Sequence, residues 1–312
     1  MTSAVLICGS VAYDTIAVFE GRFKDHILAD RIHALNVSFF VPTMRRDFGG
    51  CAGNIAYNLK LLGGHPVPVA TVGEDATAYL QRFEALGIDL SLVKTLPGTF
   101  TAQCYITTDQ DDNQIAAFHP GAMSRSAEND LSGRQVAWAI VAPDAKEGMI
   151  AHAERLHAQG IPFIFDLGQA MPLFSGEDIS RMLELAAAMT VNDYEASVVE
   201  QRTGKTIEQL AQGLQAVVVT RAADGATLYT EGRQEHIAAV KPAAVVDPTG
   251  CGDAHRAGLL YGLTTGRSWS DACKLANLMG SIKIASRGPQ NHAPERVWIA
   301  AQLRANFDLT LD

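Results

Sequence analysis

DPTGCGDAHRAGLL, residues 247–260, sets an acid and a proline before a turn of small residues, then a second acid at Asp253, then an apolar run with helical spacing. Helix N-termini present unpaired N–H groups and the positive end of the helix dipole, and glycine lets a charged oxygen approach that backbone closely. The stretch therefore predicts an anion hole at Gly250, Cys251 and Gly252, feeding a helix from Asp253 or Ala254 to Thr265. Asp253 fits two readings equally at that junction. It can cap the helix, or it can be a base beside an anion site, the pairing that brings a hydroxyl to a phosphoryl group.

Upstream of this turn the chain alternates. Apolar runs at 4–10 (AVLICGS), 67–73, 137–143, 161–168, 187–193 and 216–221 read as buried strands, and helical stretches such as 54–62 and 148–159 lie between most of them. Such alternation predicts a mostly parallel sheet covered by helices on both faces, an α/β fold. Two segments break the pattern: 32–50, and 101–123, where β-rich runs flank the turn-forming DQDDN. They are assigned to a small β-rich lid, made of segments at about 14–48 and 98–122, inserted in a single domain spanning 1–312.

Of the 312 residues, 47% are hydrophobic and 19% charged, and the net charge is −9. The balance suits a compact enzyme and argues against a general nucleic-acid surface. Five scattered cysteines without a CxxC pair suggest neither a disulfide framework nor a zinc site, so a reducing cytoplasm is expected. No leader or membrane-spanning run is read from the sequence.

The chain as a whole resembles the ribokinase-like (PfkB) family of sugar and nucleoside kinases. FGGCAGNIAYNLKLLGG (48–64) resembles its N-terminal signature and DPTGCGDAHRAG (247–258) its C-terminal one. The resemblance implies a three-layer, doubly wound fold with a lid. It makes Asp253 the catalytic base and uses the backbone of Gly250, Cys251 and Gly252 to neutralise the transferring phosphoryl group. Cys251 stands where the family commonly has alanine, and His255 where phenylalanine is frequent; Cys251 is read as a small residue that serves the hole through its backbone, and His255 as a packing or helix-surface residue. Asp247 resembles the family's leading acid, which implies a monovalent-cation region, here for potassium, shared with carbonyls of a later loop at 286–292.

On the acceptor side, Asp14 follows the first strand, and Gly49, Gly50 and Asn54 come where the lid re-enters the domain. A carboxylate can bridge a vicinal diol, and glycines permit close backbone approach, a set that suits a ribose ring. Resemblance to the bacterial adenosine-kinase-like nucleoside kinases adds Ser10, Ser38 and Gln169, with Gln103 and Phe118 as lid contacts to a base. On the donor side it implies ATP, with Asn192 and Glu195 of VNDYE acting around magnesium through water. Thr220, Arg221 and Gly225 then receive the nucleotide, with Ala222 replacing a usual glycine, and Asn277 lies beside the adenine.

GSVAYD lacks the GxGxxG spacing of a dinucleotide site, and TGKT at 203–206 lacks the first glycine of a P-loop. DPTG, FHPGAM and DLGQ resemble the bacterial adenosine-kinase-like nucleoside kinases more than the ribokinase or phosphofructokinase members, which implies a nucleoside acceptor. A sugar kinase is the alternative, and a nucleotide-sensing protein without turnover is a more distant one. A sugar phosphate would need cations on the acceptor side, where Arg45 and Arg46 are the candidates. The expectation is ATP-dependent phosphorylation of the 5'-hydroxyl of a purine nucleoside, by a monomer or a lid-mediated homodimer that engages neither nucleic acid nor membrane.

Overall fold

The apolar runs form a sheet that is buried on both faces in this computed structural model, which describes residues 3–27, 36–111, 113–131, 133–134 and 136–311. In chain order the strands are β1 (Ala4–Cys8), β2 (Ala12–Val18), β3 (Thr43–Gly49), β4 (His65–Gly73), β5 (Val93–Leu96), β6 (Ala102–Thr108), β7 (Gln114–His119), β8 (Trp138–Val141), β9 (Phe163–Asp166), β10 (Ala188–Asn192), β11 (Ala216–Thr220), β12 (Ala226–Thr230) and β13 (Arg233–Ile237). The helices are α1 (Phe23–His26), α2 (Cys51–Leu61), α3 (Thr77–Ala85), α4 (Lys146–Ala158), α5 (Gly176–Leu185), α6 (Asp193–Thr203), α7 (Ile207–Ala211), α8 (Cys251–Thr264), α9 (Trp269–Ile284) and α10 (Arg296–Phe307).

The main sheet has nine strands in the order β13-β12-β11-β10-β9-β8-β1-β4-β5. Only β12 runs against the others. Leu6 and Cys8 of β1 join one core with Met149, Leu156, Ile179 and Val199, while Val5 and Ile7 join a second with Ile55, Phe83, Leu260 and Leu275. Two buried faces require runs that are apolar at every position, which is why these strands are legible in sequence. Edge strand β13 (RQEHI) is polar and mostly exposed, as suits an unpaired edge, and for that reason it carries no such signal.

The second sheet, ordered β3-β2-β6-β7, is the lid. β6 and β7 form the expected hairpin around DQDDN. The first ribbon falls mostly within the 14–48 segment assigned to the lid, with residues 12–18 forming strand β2, which pairs antiparallel with β3 and parallel with β6. Its partner in β6 lies about ninety positions downstream, so no local pattern announces the pairing. Asp75 anchors the lid's root, accepting from Thr101 N (2.7 Å), Thr101 Oγ1 (2.6 Å) and Gln103 Nε2 (3.1 Å). Tyr13 and Phe48 of the lid pack on Tyr79 of α3, with ring centroids 5.6 and 4.9 Å away.

Candidate active site

Strand order reverses at β1, whose neighbours are β4 on one side and β8 on the other. Open α/β sheets bind ligands beyond the carboxyl ends of their strands at such a switch point. A cleft of about 440 Å³ opens there, walled by Asp166, Gln169, Asn192, Glu195, Thr220, Gly250, Gly252, Asp253 and Arg256 among others.

α8 starts earlier than expected. Gly250 takes a left-handed conformation (φ 79°, ψ 3°) as the N-cap, so the helix begins at Cys251 and Asp253 lies within its first turn. Asp253 is therefore not the cap. The Cys251 N–H donates to Pro248 O (3.1 Å) and is unavailable to an anion, a correction to the expected hole. No acceptor within the described residues takes the N–H groups of Gly252 and Asp253, and both border the cleft. A Cβ on Gly250 would lie 2.7 Å from Pro289 Cβ, so glycine is needed both for the turn and for this contact. Burial pushes the Cys251 thiol up to about 11, which leaves it a small, inert side chain.

Asp253 is half-buried, and desolvation raises its carboxyl to about 7, against an opposing hydrogen bond from Asn54 and the charge of Arg256. Asn54 Nδ2 donates to Asp253 Oδ2 (2.8 Å), and Gln290 Nε2 donates to Asn54 Oδ1 (3.0 Å) and to the Tyr79 hydroxyl (2.6 Å). Tyr79 donates in turn to Gly49 O (2.6 Å), so a chain of hydrogen bonds joins lid strand β3 to Asp253. Asn54, expected on a ribose, has both ends of its amide engaged in this chain. Gln290 and Tyr79 went unrecognised in the sequence because each sits in an unremarkable context.

Arg256 was also missed. Its guanidinium makes a bidentate pair with Asp166 at the end of β9 (2.9 Å for both bonds) and donates from Nη1 to Gly252 O (3.3 Å). Both partners are buried, and Arg256 is held well above its usual range despite burial, chiefly by Asp166. The pair ties the floor of the cleft to the turn carrying Gly252. Its only sequence signal is an arginine three residues after Asp253, on the apolar face of a helix.

On the donor side, the NxxE element is a capping box: Glu195 N donates to Asn192 Oδ1 (2.7 Å) and Asn192 N donates to Glu195 Oε2 (2.9 Å). The box leaves Glu195 Oε1 free of it, and burial followed by the nearby Asp166 raises this carboxyl above its ordinary value. Thr220 and Ala222 line the same cleft, and Ala222 adopts φ 47°, the left-handed conformation that a glycine would hold without strain. Gly225 (φ 94°) abuts Ile237 O, where a Cβ would come within 2.2 Å. Arg221 donates to Thr227 Oγ1 (2.9 Å), and Asn277 Nδ2 donates to Ile237 O and Ala238 O (3.0 Å each). Neither Arg221, Gly225 nor Asn277 forms a wall of the cleft.

On the acceptor side, Asp14 lies on β2 opposite Asp47 of β3. Burial, then the charge of Asp47, raises the Asp14 carboxyl to about 6. Gly49 leaves it room, because a Cβ there would sit 2.3 Å from Asp14 Oδ2. Gly50 (φ 83°) turns the chain into α2 against Ser10 O. Ser10 Oγ accepts from Cys51 N (3.0 Å), so its hydroxyl serves the start of α2. Gln103, through Asp75 and Tyr105, is committed to the lid, while Ser38 and Phe118 are exposed. Gln169 lies in the cleft wall.

Asp247 is the largest departure. Its carboxylate accepts from Thr249 N and Gly288 N (2.9 Å each) and faces Arg45 Nη2 at 3.5 Å. Its carbonyl, with that of Ser286, accepts from the Lys283 ammonium (2.8 and 2.9 Å). The Lys283 nitrogen therefore takes two carbonyls, those of Asp247 and Ser286, in the region to which the resemblance assigned potassium.

A model of the pfkB family carbohydrate kinases matches residues 9–296. The chain belongs to that family. It is 26% identical over 261 residues to a nucleoside kinase of Methanocaldococcus jannaschii, covering 83% of this chain and 86% of that one. A nucleoside kinase of Burkholderia thailandensis solved in complex with inosine is 50% identical, with a TM-score of 0.89 over 98% of this chain and 99% of the other. The same kinase in complex with ADP-inosine gives 51% identity and a TM-score of 0.87 over 98% and 97% of the two chains.

Proposed function

We propose that this chain transfers the γ-phosphoryl group of ATP to the 5'-hydroxyl of a purine nucleoside, with adenosine and inosine the leading acceptors. The observation that carries the reading is Asp253: a carboxyl near neutrality, held by Asn54, beside two N–H groups of a helix start that have no acceptor among the described residues. The nucleoside class is supported by the half-identical kinase of known complex with inosine. A sugar-phosphate acceptor is disfavoured because both candidate cations are taken. Arg45 faces Asp47 and Asp247, while Arg46 faces Asp75 and stacks on Tyr13.

In the reaction the nucleoside oxygen forms a new bond to γ-phosphorus while the bond from that phosphorus to the bridging oxygen breaks, and ADP leaves with the electron pair. The hydroxyl proton passes to Asp253. A loose transition state needs that proton taken late, so Asp253 mainly orients the hydroxyl. The Gly252 and Asp253 N–H groups stabilise charge on the transferring group, and Arg256 braces the Gly252 peptide that carries one of them. Asp14 and the Gly49 backbone hold the ribose. Magnesium fits here, since Glu195 keeps an oxygen outside its capping box and such ions take one or two carboxylates through retained water. Glu195 and Asn192 would hold it, and when bound it supplies charge neutralisation at the phosphates. All five cysteines are free, which suits the reducing cytoplasm we assign. Among the described residues no helix is long and apolar enough to cross a membrane.

Asp253→Asn tests the base: turnover should fall by about 10²–10⁴-fold with nucleoside affinity largely kept. Near-native turnover would remove Asp253 from the chemistry. An ATP-consumption screen over adenosine, inosine, guanosine, cytidine, ribose and fructose 6-phosphate tests the acceptor, and preference for either sugar would overturn the nucleoside reading.

A further inference from the structure

Lys283 is completely buried in the last turn of α9, and it does not line the cleft. Its ammonium donates to the carbonyls of Asp247 and Ser286, which belong to the two chain segments flanking the anion-binding turn. Those segments are joined twice more: Gly288 N donates to the Asp247 carboxylate, and Pro289 packs against Gly250. The charge has nearby compensation in Asp247 and Asp47, both of which also face Arg45. An ammonium and a potassium ion carry the same charge, are close in size, and are both satisfied by carbonyl oxygens that replace water. Potassium would need the oxygens that Lys283 already holds.

We propose that Lys283 is a tethered substitute for the monovalent cation, so that the phosphoryl-transfer turn keeps its working shape without any added potassium. Lys283 is a positioning residue: it acts through Asp247 and the 286–289 segment on Gly250 and Gly252. Being covalently attached, its charge is present at any salt composition, whereas a free ion must be held at the site by its concentration.

The test is kinase turnover at equal ionic strength in potassium, sodium and tetramethylammonium salts, with melting temperature measured in parallel. Wild type is expected to vary by less than about twofold among the three; stimulation by potassium of about fivefold or more over tetramethylammonium would overturn the proposal. Lys283→Met keeps the stem and removes the charge. In tetramethylammonium it should lose about 10- to 100-fold in turnover, and potassium or ammonium should restore turnover and raise its melting temperature where sodium does so weakly. Native turnover of this variant in tetramethylammonium would also refute the idea, as would a loss that no cation repairs. If the variant does not fold, the wild-type response decides alone. The melting readout needs no acceptor, so a mistaken nucleoside assignment and a mistaken cation assignment fail in different experiments.

Discussion

A carboxyl at about 7 in the free protein would make Asp253, the proposed base, sensitive to pH near neutrality. Below that pH it is protonated and cannot accept the hydroxyl proton, so kcat/KM should fall as pH drops through about 7. The Asn54 amide favours the ionised form, and its removal should raise the pKa further. Asn54→Ala is therefore expected to move the acidic limb of kcat/KM to higher pH, with the deficit largest near neutrality and smaller at pH about 9. A pH–rate profile checks this, and an unmoved limb would mean Asn54 does not tune the base. Gly49 allows a second residue-scale experiment. Gly49→Ala places a methyl against Asp14 Oδ2, so KM for the nucleoside should rise by about tenfold or more while KM for ATP stays close to native. Equal changes in both would take Asp14 out of the acceptor site.

At the scale of elements, the α6 capping box and the proposed metal role use one side chain, Glu195, and substitutions can separate them. Gln at this position can still accept from Asn192 N, so Glu195→Gln should keep stability while weakening magnesium-dependent turnover. Glu195→Ala leaves the Asn192 N–H without its partner and should cost about 0.5–2 kcal/mol in urea unfolding as well. Equal stability of the two variants would show that the box contributes little. The same comparison shows what a motif conceals: NxxE was legible, but its most direct duty is to start a helix. Arg256 and Asp166 join α8 to β9, and removing the charge of one leaves the other buried and unpaired. Arg256→Met should cost about 3–5 kcal/mol, and adding Asp166→Leu should recover part of it without recovering activity. Recovery of both would limit the pair to a structural role.

Across the whole molecule two sets of buried groups oppose one another. Burial holds His152, His255 and His292 down at about 4, 3 and 4, from an ordinary 6.5. Unfolding lets them bind protons, so from about pH 4 to 6.5 they make folding more favourable as pH rises. Burial pushes Asp14, Asp144 and Asp253 up to about 6, 7 and 7, from 3.8. There the folded chain holds protons that the unfolded chain releases, so their stabilisation is lost as pH rises from about 4 to 7. Between about pH 4 and 6 the two trends should nearly cancel. Asp144→Asn removes one opposing group and should give stability that climbs with pH across that window, read by urea unfolding; an unchanged slope would show that Asp144 is not protonated in the fold.

The two-sided strands, the 101–123 hairpin, the glycine turn at 250–252 and Asp253 were legible in sequence because each depends on short-range pattern: apolar continuity, turn-forming residues, small residues before a helix. The resemblance built on two signatures identified the family for the same reason. What only the tertiary structure decided is partnership. Asn54 meets Asp253 across 199 positions and Asp166 meets Arg256 across 90, and Lys283 reaches the Asp247 carbonyl across 36. Those meetings are set by strand order and helix packing, which bring separate segments to one end of the sheet. A local motif can name a base, an acid or a cation region, but which buried donor satisfies each acceptor depends on the geometry of the folded chain.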